Sequence, residues 1–320
     1  MSALAFLFPG QGSQAVGMLS EIAEQHSSVA TCFAESSEAL GYDLWHLVQQ
    51  GPADRLALTE FTQPAILTAS VALYRVWLEE NGARPNYVAG HSLGEYSALV
   101  AAGVLSLADA ARLVQRRGQA MQSAVPVGEG AMAAIIGLDD AQIVDVCETV
   151  CTEDYVGAVN FNAPGQVVIA GHADAVARAI EALKEAGAKR ALPLPVSAPF
   201  HTPLMQPAAD AMADGLSQVS LHPPEMPVMS NVTAQPQTDP ETIRRLLVEQ
   251  VVSPVRWTEC VQTLLHCGCQ NFVECGPGKV LSGLLKRIDK SAACYAIEAP
   301  AGLEEARLAL VGNANVPEER

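Results

Sequence analysis

Strand-like and helix-like segments alternate along most of this chain, and the alternation limits the fold more than any other feature. Short apolar runs at residues 3–8, 87–90, 227–232 and 271–274 read as buried strands. Between them, residues 64–81, 93–102, 106–121, 240–251 and 279–288 carry apolar positions at helical spacing. Such an order implies a largely parallel sheet covered by helices on both faces. Ser106, followed three residues later by Asp109, reads as a capping box that opens one of these helices.

The middle of the chain follows another rule. Strand-like segments at 131–138, 156–160, 167–170 and 190–196 enclose helical segments at 141–150 and 173–186. The order β-α-β-β-α-β is that of a ferredoxin-like unit. Turn-forming residues bracket it, Pro126, Gly128 and Gly130 on one side and the proline-rich 193–203 on the other. The expected fold class is therefore α/β: a large hydrolase-like domain, discontinuous over 1–125 and 198–309, with a small ferredoxin-like α+β domain inserted at 126–197. Residues 310–320 read as a polar, loose tail.

Composition narrows the function. Of the 320 residues 49% are hydrophobic and 17% charged, enough apolar side chain for a sizeable core and too little charge for general disorder. A net charge of −16 argues against nucleic acid, which needs a basic surface. No apolar run reaches the length of a membrane span. Residues 1–8 lack a basic start and a cleavage pattern, so they read as a strand and not as a signal peptide. The 8 cysteines include no CxxC pair and read as reduced thiols of a cytoplasmic protein, with no metal implied.

The chemistry starts at Gly90-His91-Ser92-Leu93-Gly94, a G-x-S-x-G with a strand before it and a helix after it. That setting is a nucleophile elbow. It leaves Ser92 at a helix N-terminus, where free N–H groups and the helix dipole favour negative charge. His91 is adjacent in sequence and diverges from the serine, so it reads as a packing or supporting residue. The Pro9–Gln14 loop follows the first strand directly, and its two glycines permit close approach of backbone to ligand. By itself it reads as an ordinary turn, or as the source of a second oxyanion donor at the Gln11 N–H, beside the Leu93 N–H.

Arg117 lies on the apolar face made by Ala110, Leu113, Val114 and Met121, whereas Arg112 and Arg116 fall on another side as a solvated pair. A guanidinium turned inward needs an anion. Spacing leaves two readings open, a buried ion pair with a protein carboxylate or a bidentate hold on a substrate carboxylate. Ser92 also needs a base. Of seven histidines, His201, confined between Pro199 and Pro203, is the candidate.

Taken in order, PGQGSQ, GHSLGEYSAL, QRRGQAMQ, NFNAPGQVVIAG, APFHTPLM, the SNV at 230–232 and VECGPGKVL resemble the malonyl-CoA:acyl-carrier-protein transacylases, nearly to residue 300. The resemblance implies Ser92 as acylated nucleophile, His201 as base and Arg117 as the group that binds the malonyl carboxylate. It implies Gln11 and Leu93 as oxyanion donors, Gln250 as the residue whose main-chain carbonyl orients His201, and Phe200 as a ring that selects malonyl over branched units. Asn160 and Asn162 would line the cleft. The partners implied are malonyl-CoA and acyl carrier protein, without cofactor, and the default state is a monomer. Acyl carrier proteins are acidic, so docking would call for a local basic patch, with Lys184, Lys189, Arg190, Lys279, Lys286 and Arg287 as candidates. Two alternatives stay beside this reading, a serine hydrolase or thioesterase using the same elbow and an acyltransferase of a polyketide pathway.

Overall fold

The computed structural model describes residues 2–196 and 198–312. Ten strands are present among them: β1 (Ala3–Phe8), β2 (Tyr87–Gly90), β3 (Gly130–Ile136), β4 (Val156–Ala163), β5 (Gln166–His172), β6 (Arg190–Pro193), β7 (Val228–Met229), β8 (Pro236–Gln237), β9 (Cys269–Glu274) and β10 (Ala293–Ala296). Six form the large sheet in the order β10-β9-β1-β2-β7-β8. All of its pairings are parallel except β7 with β8.

Strand alternation decides what each face buries. Leu4, Phe6 and Phe8 of β1 join one core, packed under the helices Ser27–Leu40, Thr59–Glu79, Leu107–Ser123 and Gln206–Ser217. Ala5 and Leu7 point the other way, into a core shared with the helices Trp257–His266 and Val280–Ile288. The period-two pattern of a strand thus builds two cores from one six-residue segment.

The second sheet has the order β4-β5-β3-β6 and is wholly antiparallel. Its strands and its two helices, Asp140–Val150 and Ala173–Glu185, form the expected ferredoxin-like arrangement. One face buries Ile135, Val167 and Ile169 against those helices. The other face carries Met132, Val159, Val168 and Ala170, packed toward Leu194, Val196 and Phe200. The small sheet is tied to the large unit through Val255, whose N–H donates to the Val159 carbonyl at 2.8 Å and whose carbonyl accepts from the Phe161 N–H at 3.0 Å.

Several boundaries differ from the sequence reading. The first long helix starts at Thr59, five residues before the expected start, and contains Pro64. A proline so near the N-terminus forgoes one helical hydrogen bond, and Thr59, Thr62 and Gln63 are buried with the turn that it continues. Strand β6 stops at Pro193 and β7 at Met229. Pro193 and Pro195 lack the N–H a ladder needs, and after Met229 the chain turns back through the Ala234 N–H on the Ser230 carbonyl. Ser106 does cap its helix, accepting from the Asp109 N–H at 3.0 Å. The reciprocal arm of a capping box is replaced, because the short Asp109 carboxylate takes the Ser106 hydroxyl instead of the Ser106 N–H. The helix Pro300–Gly312 runs through the start of the expected tail, with Leu310 packed on the main core; residues 313–320 lie outside those described.

Candidate active site

The turn from β2 into the helix Gly94–Ala101 holds Ser92 at φ 53°, in the left-handed region that L-residues rarely adopt. Its flanking glycines are required by contact. A Cβ on Gly90 would lie 1.8 Å from the Gly94 carbonyl carbon, and one on Gly94 would lie 2.1 Å from the Phe8 oxygen. The strained turn is clamped by Asn231, which accepts the Ser92 N–H on Oδ1 at 2.6 Å and donates from Nδ2 to the Gly90 carbonyl at 2.7 Å. A backbone held this way stores strain at the point where the chemistry needs an exposed hydroxyl.

His201 meets that hydroxyl. Its Nε2 lies 2.7 Å from Ser92 Oγ, and its Nδ1 lies 2.9 Å from the Gln250 main-chain oxygen. A carbonyl only accepts, so Nδ1 carries the proton and Nε2 is left to accept the serine O–H. His201 is 4% exposed. Burial pushes its pKa from 6.5 down to about 3, and the Arg117 charge pushes the same way. His201 is therefore neutral at physiological pH, the form a base requires.

Arg117 projects from the helix Leu107–Ser123 and is 1% exposed. Its Nη1 donates to Gln63 Oε1 at 3.1 Å, and its Nη2 donates to Ser92 Oγ at 3.1 Å and to Gln250 Oε1 at 2.9 Å. The guanidinium also stands over the Tyr96 ring at 5.7 Å. Among the described residues no carboxylate forms an ion pair with it, and its buried Nε–H has no acceptor. A direct ion pair of Arg117 with a protein carboxylate is thereby removed from its readings. Arg112 and Arg116 are exposed, beside Asp109 and Asp214 respectively.

Ser92, His201 and Arg117 open on a cavity of about 200 Å³, also lined by Gln11, Leu93, Asn160, Asn162 and Phe200. Its walls come from loops and helices of the large unit and from the small sheet, which contributes Met132 and Val168. Leu93 sits at the start of the elbow helix, and Gln11 approaches from the loop after β1. Gln250 stands behind the cavity, buried. Its main chain meets His201, while its side chain touches Arg117, the Ser92 carbonyl at 3.1 Å and Glu95 at 2.8 Å. His91 turns away from the hydroxyl. It donates from Nε2 to Asn162 Oδ1 at 2.7 Å and packs on Trp257.

Three residues of this constellation, Gln63, Glu95 and Asn231, carry no role in the sequence reading, nor does the side chain of Gln250. Glu95 and Asn231 both fall inside motifs quoted above, and it is their partners across the fold that give them a place.

The acyl transferase domain family matches residues 5–310. The malonyl CoA-acyl carrier protein transacylase of Escherichia coli K12 is 56% identical over 306 residues, which span 96% of this chain and 99% of that protein. The chain belongs to the malonyl CoA-acyl carrier protein transacylase family. A solved transacylase of this family from Coxiella burnetii superposes with a TM-score of 0.95 at 48% identity, covering 97% of this chain and 98% of that one. Another, solved in complex with a type II polyketide synthase acyl carrier protein, gives 0.95 at 52% identity and covers 96% of this chain and all of that one. Both resemblances span the large and the small sheet, so the transacylase fold is the fold described above, inserted unit included.

Proposed function

We propose that this chain moves a malonyl group from malonyl-CoA to the phosphopantetheine thiol of acyl carrier protein, in fatty-acid synthesis, by way of an ester on Ser92. The observation that carries the reading is the placement of Ser92 Oγ within hydrogen-bond reach of both a neutral imidazole and a buried guanidinium with an unfilled donor. The imidazole suits an attack by the hydroxyl. The guanidinium suits an acyl group that ends in a carboxylate.

In this mechanism His201 Nε2 takes the proton of Ser92 as Oγ attacks the thioester carbon. The Gln250 carbonyl holds Nδ1–H and so supports the imidazolium that forms. Negative charge develops on the thioester oxygen, where the Gln11 and Leu93 N–H groups would receive it. The C–S bond then breaks, CoA leaves with the proton from His201, and malonyl-Ser92 remains with its free carboxylate on Arg117. The carrier-protein thiol enters, gives its proton to His201 and attacks the ester, and the steps run in reverse. A thioester is exchanged for a thioester, so neither metal nor cofactor is called for.

What has to be kept out is water. The cleft between the large unit, 1–125 with 198–309, and the inserted 126–197 would do so once an acyl chain fills it. Eight free cysteines suit the cytoplasm, the net charge of −16 speaks against nucleic acid, and among the described residues no helix is long and apolar enough to cross a membrane.

Intact mass after brief incubation with malonyl-CoA alone tests the proposal. Wild type should gain one malonyl group and Ser92→Ala none. CoA release without any adduct would point instead to hydrolysis by the same elbow.

A further inference from the structure

Glu95 lies in the first turn of the helix that follows Ser92 and is 4% exposed. A carboxylate so deeply buried is either compensated or protonated. Its Oε2 accepts from Gln250 Nε2 at 2.8 Å and from the Asn231 main-chain N–H at 3.1 Å. The oxygen of the same Gln250 amide accepts from Arg117 Nη2 at 2.9 Å. One neutral amide therefore stands between the carboxylate and the guanidinium, its N–H end on the anion and its oxygen on the cation.

The two charges act on each other across that amide. Burial raises the Glu95 pKa to about 7, and Arg117 is among the influences that hold it down. Burial likewise lowers the Arg117 pKa, and Glu95 counters that. A direct salt bridge would occupy the guanidinium edge that an incoming carboxylate needs. With no counter-charge, a buried cation would be left uncompensated and would hold any arriving anion too firmly. Interposing Gln250 avoids both outcomes.

We propose that Glu95 is the counter-charge of Arg117, set one amide away by Gln250, and that it tempers the hold of Arg117 on the substrate carboxylate. The inference rests on the reading of Arg117 as the malonyl-carboxylate site. An exchange that runs in both directions needs an acyl-enzyme that is not an energetic sink. Here two anions, Glu95 and the malonyl carboxylate, share one guanidinium, so the bound acyl group is released more readily than it would be from an unopposed arginine.

The other titratable groups around Glu95 do not change charge near neutrality. Tyr96, next in the same helix, is pushed up to about 12 by burial, and the Cys260 thiol on the Trp257–His266 helix is raised by burial as well. His201 is held down at about 3, and Arg117 stays protonated. Ionisation of Glu95 is thus the event that changes the field at Arg117 between pH 6 and 8.

The test is calorimetric binding of malonyl-CoA and acetyl-CoA to the Ser92→Ala enzyme, which binds without being acylated. Acetyl-CoA carries the same CoA and no free carboxylate, so it controls for titration of the CoA phosphates. Adding Glu95→Gln keeps the side-chain volume and one acceptor oxygen while removing the charge. The malonyl-CoA Kd is expected to fall about tenfold, equivalent to about 1.4 kcal/mol, with the acetyl-CoA Kd unchanged. Unchanged or weaker malonyl-CoA binding overturns the proposal. Arg117→Ala in the same background should erase the preference for malonyl-CoA; if the preference persists, it is the assignment of Arg117 that fails. Should Glu95→Gln not fold, the Ser92→Ala enzyme decides alone. Its malonyl-CoA Kd should rise from pH 6 to pH 8 relative to that of acetyl-CoA, and parallel curves overturn the proposal.

Discussion

Arg117 donates to the hydroxyl oxygen of Ser92 at 3.1 Å, so the residue proposed to read the acyl group touches the residue proposed to carry it. The contact sets the distance scale of the substrate. An acyl carbon on Oγ puts a carboxylate two carbons further on within reach of the guanidinium, and an acyl group without a carboxylate leaves Arg117 a buried, unfilled donor set. Replacing Arg117 by Ala should lower kcat/KM for malonyl-CoA by at least roughly 30-fold, the equivalent of about 2 kcal/mol for a buried charged contact. Acetyl transfer should be spared or gained. Steady-state kinetics with both donors check this, and undiminished malonyl transfer refutes the role of Arg117.

Gln250 and His201 divide one function between main chain and side chain. His201→Ala removes the base and should cost about 10²–10⁴-fold in acylation rate. Gln250→Ala keeps the carbonyl on Nδ1 but deletes the amide between Glu95 and Arg117. It is expected to impair acylation less than His201→Ala while reducing the discrimination between malonyl and acetyl. A loss of rate with discrimination intact would mean that the amide does not act through Arg117.

The pH dependence follows from a depressed histidine. In the folded protein His201 titrates at about 3, against 6.5 for the ordinary side chain. Single-turnover acylation at saturating malonyl-CoA should accordingly show no inflection near pH 6.5, since the base stays unprotonated well below it. The stability consequence has a definite sign. Below about 6.5 the unfolded chain binds a proton that the folded ring refuses, so this group lowers stability progressively as pH falls toward about 3. An acylation rate that falls by half as pH drops through 6.5, in the Glu95→Gln enzyme as well as in wild type, would contradict the assignment.

Phe200 lines the cavity next to His201 and is half-buried among residues of the small sheet. Phe200→Ala enlarges the space beside the acyl group. Transfer from methylmalonyl-CoA should rise relative to malonyl-CoA, read as a ratio of kcat/KM values. An unchanged ratio would show that the branch points elsewhere.

The carrier-protein surface is tested by charge. Lys189 lies just before β6 and Arg190 opens it, both exposed and on the small unit. Reversing both to Glu should raise KM for carrier protein more than KM for malonyl-CoA, and more so at low salt. Equal effects on the two substrates would remove this patch from the docking surface.

The sequence by itself determined the fold class, the inserted unit and the elbow, because each depends on local pattern. Period-two and helical spacing are properties of neighbouring residues, and glycines at 90 and 94 report a turn that tolerates no Cβ. The inward placement of Arg117 was legible for the same reason. The tertiary structure alone decided what Arg117 faces. Its partners Gln63, Ser92 and Gln250 stand 54, 25 and 133 residues away in sequence, brought together only when helices pack on the sheet. Neither the Asn231 clamp nor the Glu95 carboxylate behind Gln250 has a local signature, since an Asn or Glu in a motif looks the same whether it is solvated or buried. Burial and distance give those residues their chemistry, and both arise from long-range packing.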